Sequence, residues 1–227
     1  MNDEQRLELE QRLEQASLDN RLVRVYEGGI TDGWTHGYVV GTGTDFFALE
    51  VISDGIRFDG CDCRRYVDVD RCEVPDPNWK FLEKALELRG LRRRGFRELD
   101  LSSPSSILRT ASEMLPVVRI FQEDPDVCYV GSVHELGMDQ VDLRTVSPDG
   151  AWGEVESFDL GTITRIGFGS AYEESLVLVA DATEKEVEAM EARIRELEAE
   201  IERDSERILK RLGNLCDHDA VPKGVRK

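Results

Sequence analysis

The sequence lacks what a membrane or an export pathway requires. No apolar run approaches the roughly 18 residues of a membrane span. From Met1 to Gln15 the chain is dominated by charged and polar side chains, where a signal peptide would place an apolar stretch. A cytoplasmic chain with no membrane partner is the expectation. Cysteine is sparse: five residues, an odd number, make no disulfide framework and read as reduced thiols. Basic residues are outnumbered, with 29 Lys+Arg against 47 Asp+Glu and a formal charge of −18. Such a surface repels nucleic-acid phosphates and favours basic partners. Signatures of catalysis are missing as well. The histidines, His36, His134 and His218, accompany no Gly-x-Ser-x-Gly nucleophile motif, and Gly41-Thr-Gly-Thr reads as a hairpin turn rather than a phosphate-cradling loop. A non-enzyme with no cofactor is expected. What remains, 40% apolar residues over 227 positions, is enough to build a core of one or two domains.

The chain repeats itself at an offset of about 95 residues. Leu13, Ala16, Leu22, Arg24 and Val25 match Leu108, Ala111, Val117, Arg119 and Ile120 without a gap. After a one-residue shift, Gly37-Tyr-Val-Val aligns with Gly131-Ser-Val-His, and Leu49-Glu-Val-Ile-Ser-Asp-Gly with Leu143-Arg-Thr-Val-Ser-Pro-Asp-Gly. Each copy reads as a short helix followed by five strands. The strands are predicted at 21–26, 36–41, 46–52, 62–68 and 70–74, then at 117–122, 128–134, 140–146, 154–160 and 163–168. Five short strands suit a small barrel, which hides its own edges. The predicted fold is therefore α+β, mainly β, with two tandem five-stranded barrels. The first helix and barrel take 1–74, a helical Arg-rich linker 75–102, and the second helix and acidic barrel 103–180.

A different pattern closes the chain. Thr183 and Glu186 make a capping box, after which Val187, Met190, Ile194, Leu197, Ile201 and Ile208 fall on alternating steps of three and four. This heptad seam predicts a coiled-coil helix over 181–213, stopped by Gly213, with a flexible tail over 214–227. Asp204 occupies one core position of the seam. Pairing with a second copy, to give a homodimer, or with a partner is the favoured outcome, against folding back on the chain's own barrels.

Gly37-Tyr-Val-Val through Arg57-Phe-Asp-Gly and Arg64-Arg-Tyr-Val-Asp-Val-Asp-Arg resemble a widespread set of uncharacterised bacterial proteins with Sm-like or SH3-like small barrels. Asp124-Pro-Asp-Val-Cys-Tyr-Val-Gly, Ser147-Pro-Asp-Gly-Ala-Trp and Ile163-Thr-Arg-Ile-Gly-Phe-Gly-Ser-Ala-Tyr in the second copy resemble a sister version. The resemblance covers about 20–180 and implies the barrel fold, with no activity to transfer. The sequence has no Tyr-Lys-His motif of Hfq-like RNA-binding rings, and between 117 and 180 twelve acidic residues face three basic ones.

Several constellations carry potential chemistry. Arg89, Arg92, Arg93, Arg94 and Arg97 could fork onto phosphate oxygens, or form salt bridges to neighbouring elements. Cys61, Cys63 and Cys72 with His36 are the nearest approach to a zinc site, but Cys-x-Cys-x8-Cys is not a knuckle spacing and ordinary buried or half-buried thiols are expected; Cys216 with His218 is a lesser candidate. Asp59, Asp62, Asp68 and Asp70 cluster in sequence, with Asp68 and Asp70 expected on one strand face. Trp34, Tyr38, Trp79, Tyr129, Trp152 and Tyr172 read mainly as core. The leading expectation is a cytoplasmic interaction or regulatory adaptor that dimerises through its C-terminal helix and binds a protein partner, a basic one by charge. The alternatives are an Sm-like RNA-binding regulator using the Arg89–Arg97 patch, and an inhibitor of a nucleic-acid-binding enzyme.

Overall fold

The computed structural model describes residues 2–27, 33–96, 98–124 and 127–218, with side chains as far as 209. Helix α1 (Asp3–Leu18) starts from a capping box, in which Asn2 accepts from the Gln5 backbone N–H and the Gln5 side chain accepts from that of Asn2. Its buried face is Leu9, Leu13 and Ala16. Five strands follow, β1 (Leu22–Tyr26), β2 (Thr35–Thr42), β3 (Phe46–Ile52), β4 (Phe58–Arg65) and β5 (Arg71–Glu73), with a 3-10 turn at Tyr66–Asp68 before the last. After α2 (Trp79–Leu88) the same order returns. It runs α3 (Pro104–Met114), β6 (Val118–Phe121), β7 (Cys128–Leu136), β8 (Gln140–Val146), β9 (Trp152–Asp159), a 3-10 turn at Leu160–Thr162 and β10 (Arg165–Phe168), then α4 (Ala171–His218).

The fold is mixed α+β, and residues Met1–Asp181 form one compact unit. Its strands make a single antiparallel sheet in the order β5-β1-β2-β3-β4-β10-β6-β7-β8-β9. In place of two barrels that each hide their own edges, the pairing gives one open sheet with the halves joined edge to edge. The cause lies at β4, whose outer edge takes β10 of the other half, so that each half satisfies a bare edge of its neighbour.

Register then fixes which side chains share a face. One row across the joint is Leu49, Asp62, Gly167, Arg119 and Val130; the next is Ala48, Cys63, Ile166, Ile120 and Tyr129, on the opposite face. Gly37 and Gly131, aligned by the repeat, serve the same end: an added Cβ would stand 2.8 Å from the Glu50 carbonyl oxygen and 2.6 Å from that of Arg144.

Around α1, the first half buries Leu13, Val23, Val39, Phe47, Leu49 and Tyr66. The largest core is shared: Phe46, Ala48, Cys61 and Cys63 of the first half pack with Ile107, Ile120, Ile166 and Phe168 of the second. The expected boundary at 75–102 does not separate two cores. Leu82 and Leu86 of α2 pack on Leu22, Tyr38 and Ile52, and Phe96 and Leu101 enter the shared core.

The last helix begins earlier than the Thr183 capping box predicts. Ser170 and Glu173 form the cap instead, the Ser170 N–H donating to Glu173 Oε2 at 2.9 Å and the Glu173 N–H to Ser170 Oγ at 3.4 Å. Leu176 and Ala180 of its first turns pack on Val117, Val130 and Val146. The second unit, Ala182–Lys227, is helical as far as His218, so Gly213 does not stop it.

Candidate functional site

The joint between the halves holds a buried set of ionised groups. Asp62 and Arg64 of β4 lie beside Arg165 of β10 and Arg119 of β6, with Glu27 after β1 and Glu173 at the start of α4. Arg64 Nη2 donates to Asp62 at 2.9 Å and Arg64 Nη1 to Glu27; Arg119 Nη2 donates to Asp62 at 3.0 Å. Arg119 Nη1 stands 2.9 Å from Glu173 Oε1 but off the hydrogen-bonding line, an ion pair without a directed bond. Burial raises the Asp62 carboxyl, but Arg64, Arg119 and Arg165 outweigh it and hold the group down to about 2. Glu27 and Glu173 go the other way: burial lifts both, only partly opposed by Arg64 and by Arg119. Arg165 lies with its guanidinium carbon 3.7 Å from the Phe121 ring centroid, and burial lowers its pKa. Gly167 makes the crossing possible, since a Cβ there would lie 2.6 Å from Arg119 Nη2 and 2.7 Å from Asp62 Oδ1.

The arginine segment is largely committed within the chain. Arg89 donates to the carbonyls of Gly55 and Ile56, and Arg93 to Glu50 at 2.9 Å and to Asn20. Arg94 pairs with Glu174 at 2.8 Å. Arg92 is exposed beside a cleft of about 650 Å³ that Trp79, Tyr38 and Lys84 also line, and Arg97 lies outside the described residues. Cys61 and Cys63 sit in the shared core and Cys72 in the core under α1, which separates the three thiols. Among the described residues, no three His, Cys, Asp or Glu are grouped to hold a metal ion; the Cys216 and His218 side chains lie outside them. The aspartates also part. Asp59 accepts from the Ala171 N–H, Asp62 joins the buried set, and Asp68 lies in a 3-10 turn paired with Arg65, not on a strand face with Asp70.

His36 is held on both ring nitrogens. Its Nδ1 meets the fully buried Asp76, and its Nε2 accepts from the Trp34 indole N–H at 2.9 Å. Arg24 and the Asn78 N–H also bind Asp76. Of the aromatics, Tyr38 is buried, Trp79, Tyr129 and Trp152 are half-buried, and Trp34 and Tyr172 are exposed.

The heptad residues stand in the second unit, on a helix whose described side chains are almost all exposed. Val187, Met190, Ile194, Leu197, Ile201 and Ile208 range from 42% to 67% exposed.

Sequence reasoning missed the charged joint, although the repeat carried a signal of it. Both Leu22-Val-Arg-Val and Val117-Val-Arg-Ile place an arginine inside an apolar strand, and both arginines end up paired with carboxylates. Comparison with protein-family models, curated proteins and solved structures finds no match to this chain.

Proposed function

We propose that this protein is a non-enzymatic cytoplasmic adaptor that dimerises through its C-terminal helix and binds a protein partner. The carrying observation is the stripe from Val187 to Ile208, large apolar side chains left in water at a sustained heptad spacing. A spacing of 3.5 residues fits a partner helix with the same repeat, and a second copy of the chain supplies one by symmetry. Each half is read as a small barrel of the Sm or SH3 kind left open between its fourth and fifth strands. In support, each has a leading helix, five strands ordered 5-1-2-3-4, and a 3-10 turn between the fourth and fifth.

The ionised groups brought together support a binding role over catalysis. Asp62, Arg64, Arg119 and Glu173 neutralise one another inside the sheet, and both nitrogens of His36 are engaged. For RNA binding through the arginine segment, Arg92 is the one of Arg89, Arg92, Arg93 and Arg94 without a partner among the described residues. Light scattering tests the dimer. The double change Ile194→Asp and Ile201→Asp is expected to give a monomer with unchanged thermal unfolding of the sheet; a dimer that survives both charges removes the helix from this role.

A further inference from the structure

The joint shows how one edge of this sheet captures a strand. β4 takes the four residues Arg165–Phe168 antiparallel, with Asp62 opposite Gly167 and Cys61 and Cys63 opposite Phe168 and Ile166. Asp62 opposite Gly167 therefore shares one face of the captured strand with Arg64 opposite Arg165, and apolar side chains stand on the other. β9 holds the place of β4 in the second half. Leu49 pairs with Asp62 as Leu143 pairs with Glu156, which makes Glu156 the counterpart of Asp62 and Val155 that of Cys61.

β9 ends the sheet. Among the described residues it pairs with β8 alone; it is eight residues long, with Glu156 on one face and Val155, 44% exposed, on the other, and a register shift at Gly153-Glu154 just before them. Its outer backbone edge is unpaired among the described residues. Among the described residues neither glutamate has an ion-pair partner, and Glu156 meets only the Thr145 hydroxyl at 3.1 Å. Of the three arginines between 117 and 180, Arg119 and Arg165 lie in the joint and Arg144 over Trp152.

The other free edge of a second copy does not fit here. Arg24 pairs with Glu73 as Arg119 pairs with Gly167, so Glu73 stands where the joint needs a glycine and would face Glu156. Arg12 already donates to the Cys72 carbonyl on that strand, at 2.9 Å. Like charges directly opposed are destabilising.

We infer that β9 is the docking edge for an extended, basic segment of another protein, added to the sheet as a further strand. Backbone hydrogen bonds supply affinity, as in other strand additions, and alternation supplies specificity. Lysine or arginine falls opposite Glu156, where Glu154 adds negative charge nearby, and an apolar residue opposite Val155. This deepens the adaptor reading and rests on it, by giving the partner its chemistry.

The probe is a labelled peptide, Arg-Val-Lys-Val-Lys-Val-Arg, titrated into the full-length protein by fluorescence anisotropy, with hydrogen exchange read on the same complex. Binding that weakens with salt and slows exchange of the β9 amides is expected. Replacing the central valine of the peptide by proline keeps its charge but removes strand pairing, and is expected to weaken binding about tenfold or more. Glu154→Lys with Glu156→Lys is expected to abolish binding of the basic peptide and confer binding of its glutamate-substituted counterpart. Equal affinity for the proline peptide, protection elsewhere than β9, or indifference to the charge reversal overturns the proposal, as does absence of binding. Light scattering on the same samples reports the helix dimer separately, so loss of one reading is distinguishable from loss of the other.

Discussion

Gly167 and Asp62 show how much rests on single positions. Replacing Gly167 by alanine drives a methyl group into the Arg119–Asp62 bridge. The expected loss is about 1–3 kcal/mol, read as a lowered urea midpoint; a variant as stable as the parent would mean the bridge swings aside freely. Asp62 ties stability to pH. Its folded pKa of about 2 lies below its unfolded value of about 3.9, so its contribution is full above the unfolded value and is lost as pH falls from about 4 through 2. Glu27 and Glu173 have raised folded values, so their ionisation works against folding as pH rises above the ordinary glutamate range. Unfolding followed across pH should therefore show an acid limb that Asp62→Asn flattens. At neutral pH the same change should cost about 3 kcal/mol, because Arg64 and Arg119 lose a buried partner. An unaltered acid limb would place the titration elsewhere.

At the scale of elements, strands were the most legible feature, because short apolar, β-branched and aromatic runs bounded by turn residues leave traces in sequence. The range 46–52 matches β3 (Phe46–Ile52) end to end, and 140–146 matches β8 (Gln140–Val146). The start of α4 was not read, although Ser170-Ala-Tyr-Glu173 has the same capping spacing as Thr183 to Glu186. The apolar heptads drew the helix start toward the later box, whereas packing of Leu176 and Ala180 selects the earlier one. Ser170→Ala is expected to cost about 1 kcal/mol in thermal unfolding, the ordinary worth of an N-cap; no change would leave the cap to Glu173 alone. Cys61, Cys63 and Cys72 were legible as buried thiols, but their division between two cores was not, since strand alternation says nothing about which sheet face meets which helix.

For the whole molecule, the repeat was visible and the joint was not. Each half carries enough pattern to announce its strands, but the pairing of β4 with β10 depends on partners far apart in sequence. The shared core makes the halves interdependent, because Phe46, Ala48, Cys61 and Cys63 would be bared without Ile166 and Phe168. A protease site placed within 102–106 should therefore yield, after cleavage, fragments that stay together in gel filtration, while the fragment 1–102 made alone should lack cooperative unfolding. Two separately folded fragments would show that neither half needs the other.

The strand order also sets a clock on the ribosome. β4 is made long before the β10 that covers its edge, and at typical rates of synthesis the interval is roughly 5 to 20 s. Throughout that time the nascent chain presents an open strand edge beside half of a core, available to the β10 of another chain as readily as to its own. Crowded polysomes making this protein are thus the setting in which exchanged, intertwined dimers are expected, and slowing initiation should suppress them without altering the finished fold.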